Sequence, residues 1–341
     1  MNPTKIKTAL SLLPILVLAG ILATLMTPIP KQSPQIASAQ TWNEGNYASW
    51  VWGNPVVVPE ADMISKLDFA KVAKIKVVML DTTQYVAQWQ RGRLTGDTSV
   101  VANYRASIKK FLDLANARGI KVEALMGGTT LANPDMVQIV YDTFDFVADF
   151  NTRPINTVKF SGVHYDIEFY NQLNFRTNQN NLTQNFFKMV QKLIARTNIV
   201  TQTNPSFTLN FDISSTMDGT GSWELINWNG VIKPTTFHLI DMLEATMNPA
   251  ITIMAYRNYA LGGGGTLYLV KNEFDYVVSK KTKIWVGQET DNADPNPVVT
   301  FYGKSLSYVQ VEFAKIITEL STKSAFAGIS VHTLKSYQAM K

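Results

Sequence analysis

Cysteine is absent from the 341 residues, which excludes disulfides, thiolate catalysis and cysteine-ligated zinc. Histidine is scarce, three in all. The combination His164, Asp166 and His332 has no short-spaced ligand pair, so neither a metal nor a cofactor is expected. No Gly-x-Gly-x-x-Gly follows the first strand-like segment, against a dinucleotide-binding sheet. Gly262–Gly265 is a run of four glycines, but no Lys-Ser/Thr follows it as a phosphate loop requires. Charge is sparse: 17% of residues are charged and the net charge is +5. Lys5, Lys7 and Lys31 lie in an N-terminal stretch without Asp or Glu, and setting those three aside leaves +2. No Lys/Arg stripe interleaved with aromatics occurs, so nucleic acid is not an expected partner. Lys109-Lys110 and Lys280-Lys281 fall on helix-like segments and read as solvated faces. Long linkers and short repeats are also missing.

What is present is an ordinary globular balance, 46% hydrophobic, enough for one large core. Lys5 and Lys7 precede an apolar run from Ala9 to about Ile29, and Ala37-Ser38-Ala39 is a small-x-small cleavage signal. Residues 1–39 therefore read as a secretory signal peptide. The alternative is an uncleaved anchor, a membrane tether. Either places residues 40–341 outside the cytoplasm. Nothing in the sequence fixes the oligomeric state.

From residue 40 on, strand-like and helix-like patterns alternate. Strands are expected at 47–53, 76–82, 121–127, 162–168, 208–214, 252–256, 283–289 and 327–333. Helices are expected near 60–74, 99–118, 134–150, 181–197, 238–246, 266–281 and 305–323, with a short closing helix from Leu334 to Met340. Asn133 before Pro134 has the form of a helix start, and Ser305 opens the last long helix similarly. Eight short strands rich in Val and Ile, each followed by a helix, specify a single α/β domain, a (β/α)8 TIM barrel. The alternative is an open doubly wound sheet. The long loops after the second and fifth strands carry Tyr85, Trp89, Trp223 and Trp228. Such residues stack on sugars or staple their own loops, and for any single one stapling is the safer reading.

The chain turns on Lys159-Phe160-Ser161-Gly162-Val163-His164-Tyr165-Asp166-Ile167-Glu168. Strand side chains alternate, so His164, Asp166 and Glu168 share one face. Three ionisable groups on one face are costly to bury. They fit a barrel interior that opens at the C-terminal strand ends, with Glu168 nearest the mouth.

This stretch resembles the signature strand of family 18 glycoside hydrolases, the chitinases and endo-N-acetylglucosaminidases, whose pattern is Asp-x-x-Asp-x-Asp-x-Glu. The slots here read Ser161, His164, Asp166 and Glu168, so the last two match. The third strand ends Met126-Gly127-Gly128, like the family's Ser-x-Gly-Gly, with Leu125 departing. The sixth ends Met254-Ala255-Tyr256-Arg257, against Met-x-Tyr-Asp. In the eighth, His332 stands where the family commonly has the Trp that floors the sugar subsite. The resemblance spans the chain beyond the leader, each motif incomplete.

It implies a carbohydrate substrate and a glycosidase in which Glu168 is the general acid, partly desolvated and raised in pKa. Asp166 would orient the substrate's N-acetyl group, which itself attacks the anomeric carbon, and Tyr256 would hydrogen-bond the same acetamide. His164 could donate to Asp166 and hold it ionised. Arg257, opposite Tyr256 by alternation, suits a structural ion pair. His332, Asp212 and Trp52, at or near strand ends, join Tyr256, His164 and Glu289 as expected substrate contacts, and Asp81 lines the pocket or ties a loop. A rival scheme makes Glu289 the nucleophile of a retaining pair with Glu168. Carboxyl separations of about 5–5.5 Å fit a retaining pair and roughly 6.5–9.5 Å an inverting one. Two other readings stay open: a carbohydrate-binding barrel without catalysis, and an envelope scaffold.

Overall fold

The computed structural model of the chain describes residues 45–53, 58–220, 223–292 and 296–341. The expected leader, 1–39, lies outside the described residues. Eight parallel strands close into a barrel: β1 (Tyr47–Val51), β2 (Ile75–Asp81), β3 (Lys121–Gly127), β4 (Gly162–Asp166), β5 (Thr208–Ser214), β8 (Pro249–Met254), β9 (Lys283–Glu289) and β10 (Phe326–His332). Each pairs with its neighbours in the ring, and β10 pairs with β1 to complete it. Between β5 and β8 a small antiparallel hairpin intervenes, β6 (Ile226–Trp228) and β7 (Val231–Lys233). The (β/α)8 expectation holds, and the open sheet is excluded by closure.

Ten helices accompany the strands among the described residues: α1 (Glu60–Val72), α2 (Thr83–Thr95), α3 (Ser99–Asn116), α4 (Val137–Thr152), α5 (Phe175–Val200), α6 (Thr235–Leu243), α7 (Thr266–Leu269), α8 (Lys271–Tyr276), α9 (Leu306–Leu320) and α10 (Leu334–Ala339). None is long and apolar enough to cross a membrane.

Strand alternation divides the core in two. Val163, Tyr165 and Ile167 point outward into the large apolar layer between strands and helices. A separate small cluster, Ala48, Trp50, Met79 and Leu125, fills part of the barrel interior. Val77 and Trp285 pack against it, and beside them the interior holds polar residues, including the ionisable residues of β4.

Several local expectations are corrected. The segment after β2 is not a loop but α2. Tyr85 there is buried with its ring 3.6 Å from that of Phe146, and its hydroxyl accepts from Arg105 Nε at 2.6 Å. Trp223 packs on Phe169, Tyr170 and Phe175, and Trp228 on Phe187. These aromatics staple loops to the shell. Residues 133–136 are turns, and α4 begins at Val137, because the Asn133 amide pairs with that of Gln172 rather than capping the helix. Ser305 does cap α9, accepting from Tyr308 N. The helix expected at 266–281 is two short pieces. Lys280 and Lys281 lie beyond them, Lys280 paired with Asp241 and Lys281 bonded to the Thr246 carbonyl.

Candidate active site

The barrel interior holds polar groups in two levels. In the lower level His164 is fully buried. Its Nε2 lies 2.7 Å from Asp212 Oδ1 and its Nδ1 3.1 Å from Glu123 Oε2. Trp50 Nε1 donates to Asp212 Oδ2 at 2.8 Å, and Thr208 Oγ1 to Glu123 Oε1 at 2.6 Å. Every carboxylate oxygen of this level therefore has a donor. Burial disfavours the charged imidazole, but Asp212 and then Glu123 outweigh it, and the ring is pushed up to about 10. His164 is thus a cation clamped between two carboxylates.

Two expectations fail here. His164 does not reach Asp166, because both its ring nitrogens are engaged elsewhere. Nor can His164 or Asp212 touch a substrate: both are closed off beneath the site, where they form its floor.

The upper level opens outward. Trp52, Asp81, Gly127, Asp166, Ser214, Met254, Tyr256 and His332 are all half-buried, whereas the residues two positions earlier on β1 to β5 are buried. The strand β4 ends at Asp166, two residues before the expected end. Glu168 follows half-buried, immediately ahead of a 3-10 turn, Phe169–Asn171. That turn supplies its partners: Tyr170 Oη donates to Glu168 Oε1 at 2.7 Å, and Asn171 Nδ2 to Oε2 at 3.1 Å. Tyr170 and Asn171 were not anticipated, because a strand pattern gives no sign of a turn that folds back on its own end.

Asp166 differs from the other carboxyls inside the strand ring; Glu273, on α8 in the shell, also has buried oxygens without partners among the described residues. Asp166 Oδ1 is buried without a hydrogen-bond partner among the described residues. Burial, then the charges of Asp212 and Glu168, hold its pKa well above the usual carboxylate range; the His164 cation opposes them only weakly. The sequence reading held Asp166 ionised; burial instead drives its carboxyl toward the neutral form.

Tyr256 stands among the acids. Burial raises its phenol well above the ordinary value, and Glu289, Asp212, Asp166 and Glu168 add to the effect, so one hydroxyl feels four carboxyl groups. On the far side His332 lies 6.3 Å from Tyr256, ring to ring. Glu289 is 4% exposed; its Oε1 accepts from Asp291 N at 2.6 Å, and its Oε2 lies 2.8 Å from His332 Nδ1. That carboxylate is tied down rather than presented. Asp81 accepts from the Gly53 and Thr83 backbones, the loop-tying role. Arg257 makes no ion pair among the described residues and turns back on the Tyr256 carbonyl. No group of three His, Asp or Glu among the described residues could hold a metal ion.

A parallel eight-stranded barrel with carboxyls at the C-terminal mouth occurs in glycoside hydrolases among many other enzymes. Comparison with solved structures agrees. A GH18 chitinase from Pseudoalteromonas aurantia superposes with a TM-score of 0.50 at 14% identity, over 86% of this chain and 97% of that one. A plant class V chitinase mutant from Cycas revoluta in complex with (GlcNAc)3 gives 0.52 at 11%, over 86% and 96%. A hyperthermostable endo-1,4-beta-D-mannanase from Thermotoga petrophila RKU-1 gives 0.51 at 9%, over 84% and 87%. No family model and no curated protein matches the sequence. In fold, then, the chain is similar to GH18 chitinases and to the mannanase alike.

Proposed function

We propose that the protein is an exported glycoside hydrolase acting on a polysaccharide or cell-wall glycan that contains N-acetylhexosamine. Glu168 serves as general acid and Asp166 assists. The observation that carries this is the pair itself: Asp166, with a buried oxygen that has no partner among the described residues, next to Glu168 at the open end of the barrel. An unsatisfied buried carboxyl oxygen is costly, and a ligand that donates to it recovers that cost. A substrate acetamide N–H is such a donor. In this scheme Glu168 protonates the glycosidic oxygen as the bond to the anomeric carbon breaks. The acetamide oxygen closes on that carbon, and water later opens the ring so formed and returns the proton to Glu168. Tyr256 stands beside both acids and is suited to hydrogen-bond the acetamide oxygen. N-acetylglucosamine oligomers are the first probes, since fold neighbours were solved with (GlcNAc)3.

Glu168→Gln is expected to reduce release of reducing ends from chitin oligosaccharides by at least about 100-fold, with the melting temperature and glycan binding kept. Equal turnover by that variant would remove Glu168 from the role. The retaining alternative is disfavoured by the burial of Glu289 and by the hydrogen bond its carboxylate accepts from Asp291 N. A carbohydrate-binding barrel without turnover is the second reading. It is favoured by one feature: both Glu168 oxygens are already engaged, by Tyr170 and Asn171. Sugar binding without cleavage across the panel would select it. Export rests on the leader sequence, and a secreted form starting at Gln40 would support cleavage there.

A further inference from the structure

Trp52 follows β1 directly, and its ring does not stay over its own strand. Its Nε1 donates to His332 Nε2 at 2.8 Å, on the adjacent β10. Its opposite edge reaches β3, which is not a neighbour of β1: a Cβ placed on Gly127 would meet Trp52 Cη2 at 2.7 Å. The same point lies 3.2 Å from Asp166 Cβ. The indole therefore crosses the lumen from His332 to the Asp166 backbone, and Gly127 leaves room for it. It is half-buried, and the ring of Trp50 lies one level down against His332 at 5.5 Å.

His332 fixes this bridge. An indole N–H can only donate, so His332 Nε2 must accept. In the neutral ring the proton is then on Nδ1, which lies 2.8 Å from Glu289 Oε2 but makes no hydrogen bond among the described residues. Glu289 is itself held by Asp291 N. The hydrogen bond to His332 on β10 thus sets the orientation of one aromatic face beside Asp166. An aromatic held next to a sugar-binding acid offers the apolar C–H face of a pyranose a surface to stack on.

We propose that Trp52 is the stacking platform for the sugar ring that meets Asp166, and that His332 is the positioning residue that holds it. The proposal rests on the glycosidase reading above and deepens it. It gives His332 a part different from direct sugar contact: the residue in the last strand orients an aromatic supplied by the first. The ligand class is a hexopyranose with an uninterrupted C–H face, bound across the mouth.

The test uses the full chain and the N-acetylglucosamine trimer, read by tryptophan emission, calorimetry and steady-state kinetics. Trp52→Ala should weaken binding about tenfold or more, and Trp52→Phe by less. His332→Leu, which removes the acceptor, should raise KM several-fold with kcat held within about twofold, and His332→Gln, whose amide oxygen can accept, should restore KM. Should Trp52→Ala fail to fold, the emission difference between wild type and Trp52→Phe replaces it: the trimer must change that difference. Wild-type binding with Trp52→Ala within about twofold of it, or an emission difference that the trimer leaves untouched, overturns the platform and leaves the glycosidase reading standing. A wild-type protein that neither binds nor cleaves the trimer or longer oligomers overturns both.

Discussion

At the scale of single residues, Asp166 is where stability and activity oppose each other. The folded state raises its pKa, so the native protein binds a proton that the unfolded chain releases above about pH 4. The sign follows: stability associated with that proton is present in acid and is lost as pH rises through the native value. Asp166→Asn keeps the shape and abolishes the titration. Its melting temperature should therefore exceed the wild type's at pH 7–8, by the equivalent of about 0.5–2 kcal/mol, and the two curves should converge toward pH 4. Turnover should be lost over the whole range. Thermal melts of both proteins across pH check this, and a variant less stable than the wild type at neutral pH would mean that the Asp166 charge is well solvated in the fold. Position 166 was legible from the sequence because alternation along one strand put it inside. Its missing partner was not, since an absent hydrogen bond depends on where every neighbouring donor ends up.

At the scale of elements, β4 shows what one strand can and cannot reveal. The pleat sorted Val163, Tyr165 and Ile167 from His164 and Asp166 correctly. It did not give His164 its partners, because Glu123 and Asp212 belong to β3 and β5, and only the register of a closed ring brings them there. Reading within the strand led to Asp166, two residues on. Local signals fared according to their competition: the Ser305 hydroxyl caps Tyr308 N while also meeting the adjacent Ser307 hydroxyl, whereas the Asn133 amide was taken by Gln172. The triad itself predicts a pH response. With the imidazole raised from 6.5 to about 10, its stabilisation is complete below pH 6.5 and fades as pH climbs through 10. His164→Ala leaves two buried carboxylates facing each other without a cation and should cost about 3–5 kcal/mol. Urea unfolding at pH 6 and pH 10 should show that cost shrinking at the higher pH. An equal cost at both would assign His164 a packing role only.

At the scale of the whole molecule, a barrel is a ring, and a ring is as sound as its closure. β10 meets β1 through pairs such as Ile329 with Tyr47, and α10 lies across that seam. The helix starts in a reciprocal cap between Thr333 and Ser336 and buries Tyr337 against Phe69 of α1 and Phe313 of α9, with centroids 5.7 and 6.2 Å away. The last helix therefore joins the two ends of the chain's shell. Alternating patterns foretold the eight strands and the closing helix, but a periodicity is blind to which strand ends up beside which, and the mouth is assembled from β1, β4, β8, β9 and β10 together. Trp52 and His332 sit on the seam strands and are bonded to each other, so the seam and the site should fail together. Tyr337→Ala deletes a fully buried ring and should cost about 3–5 kcal/mol. If the barrel closes as one cooperative unit, calorimetry will show a single transition moved to lower temperature, and the Trp52-dependent emission will melt with it. Two separated transitions, with the emission following the earlier one, would instead make the β10–β1 seam a local door that opens while the remaining strands stay folded.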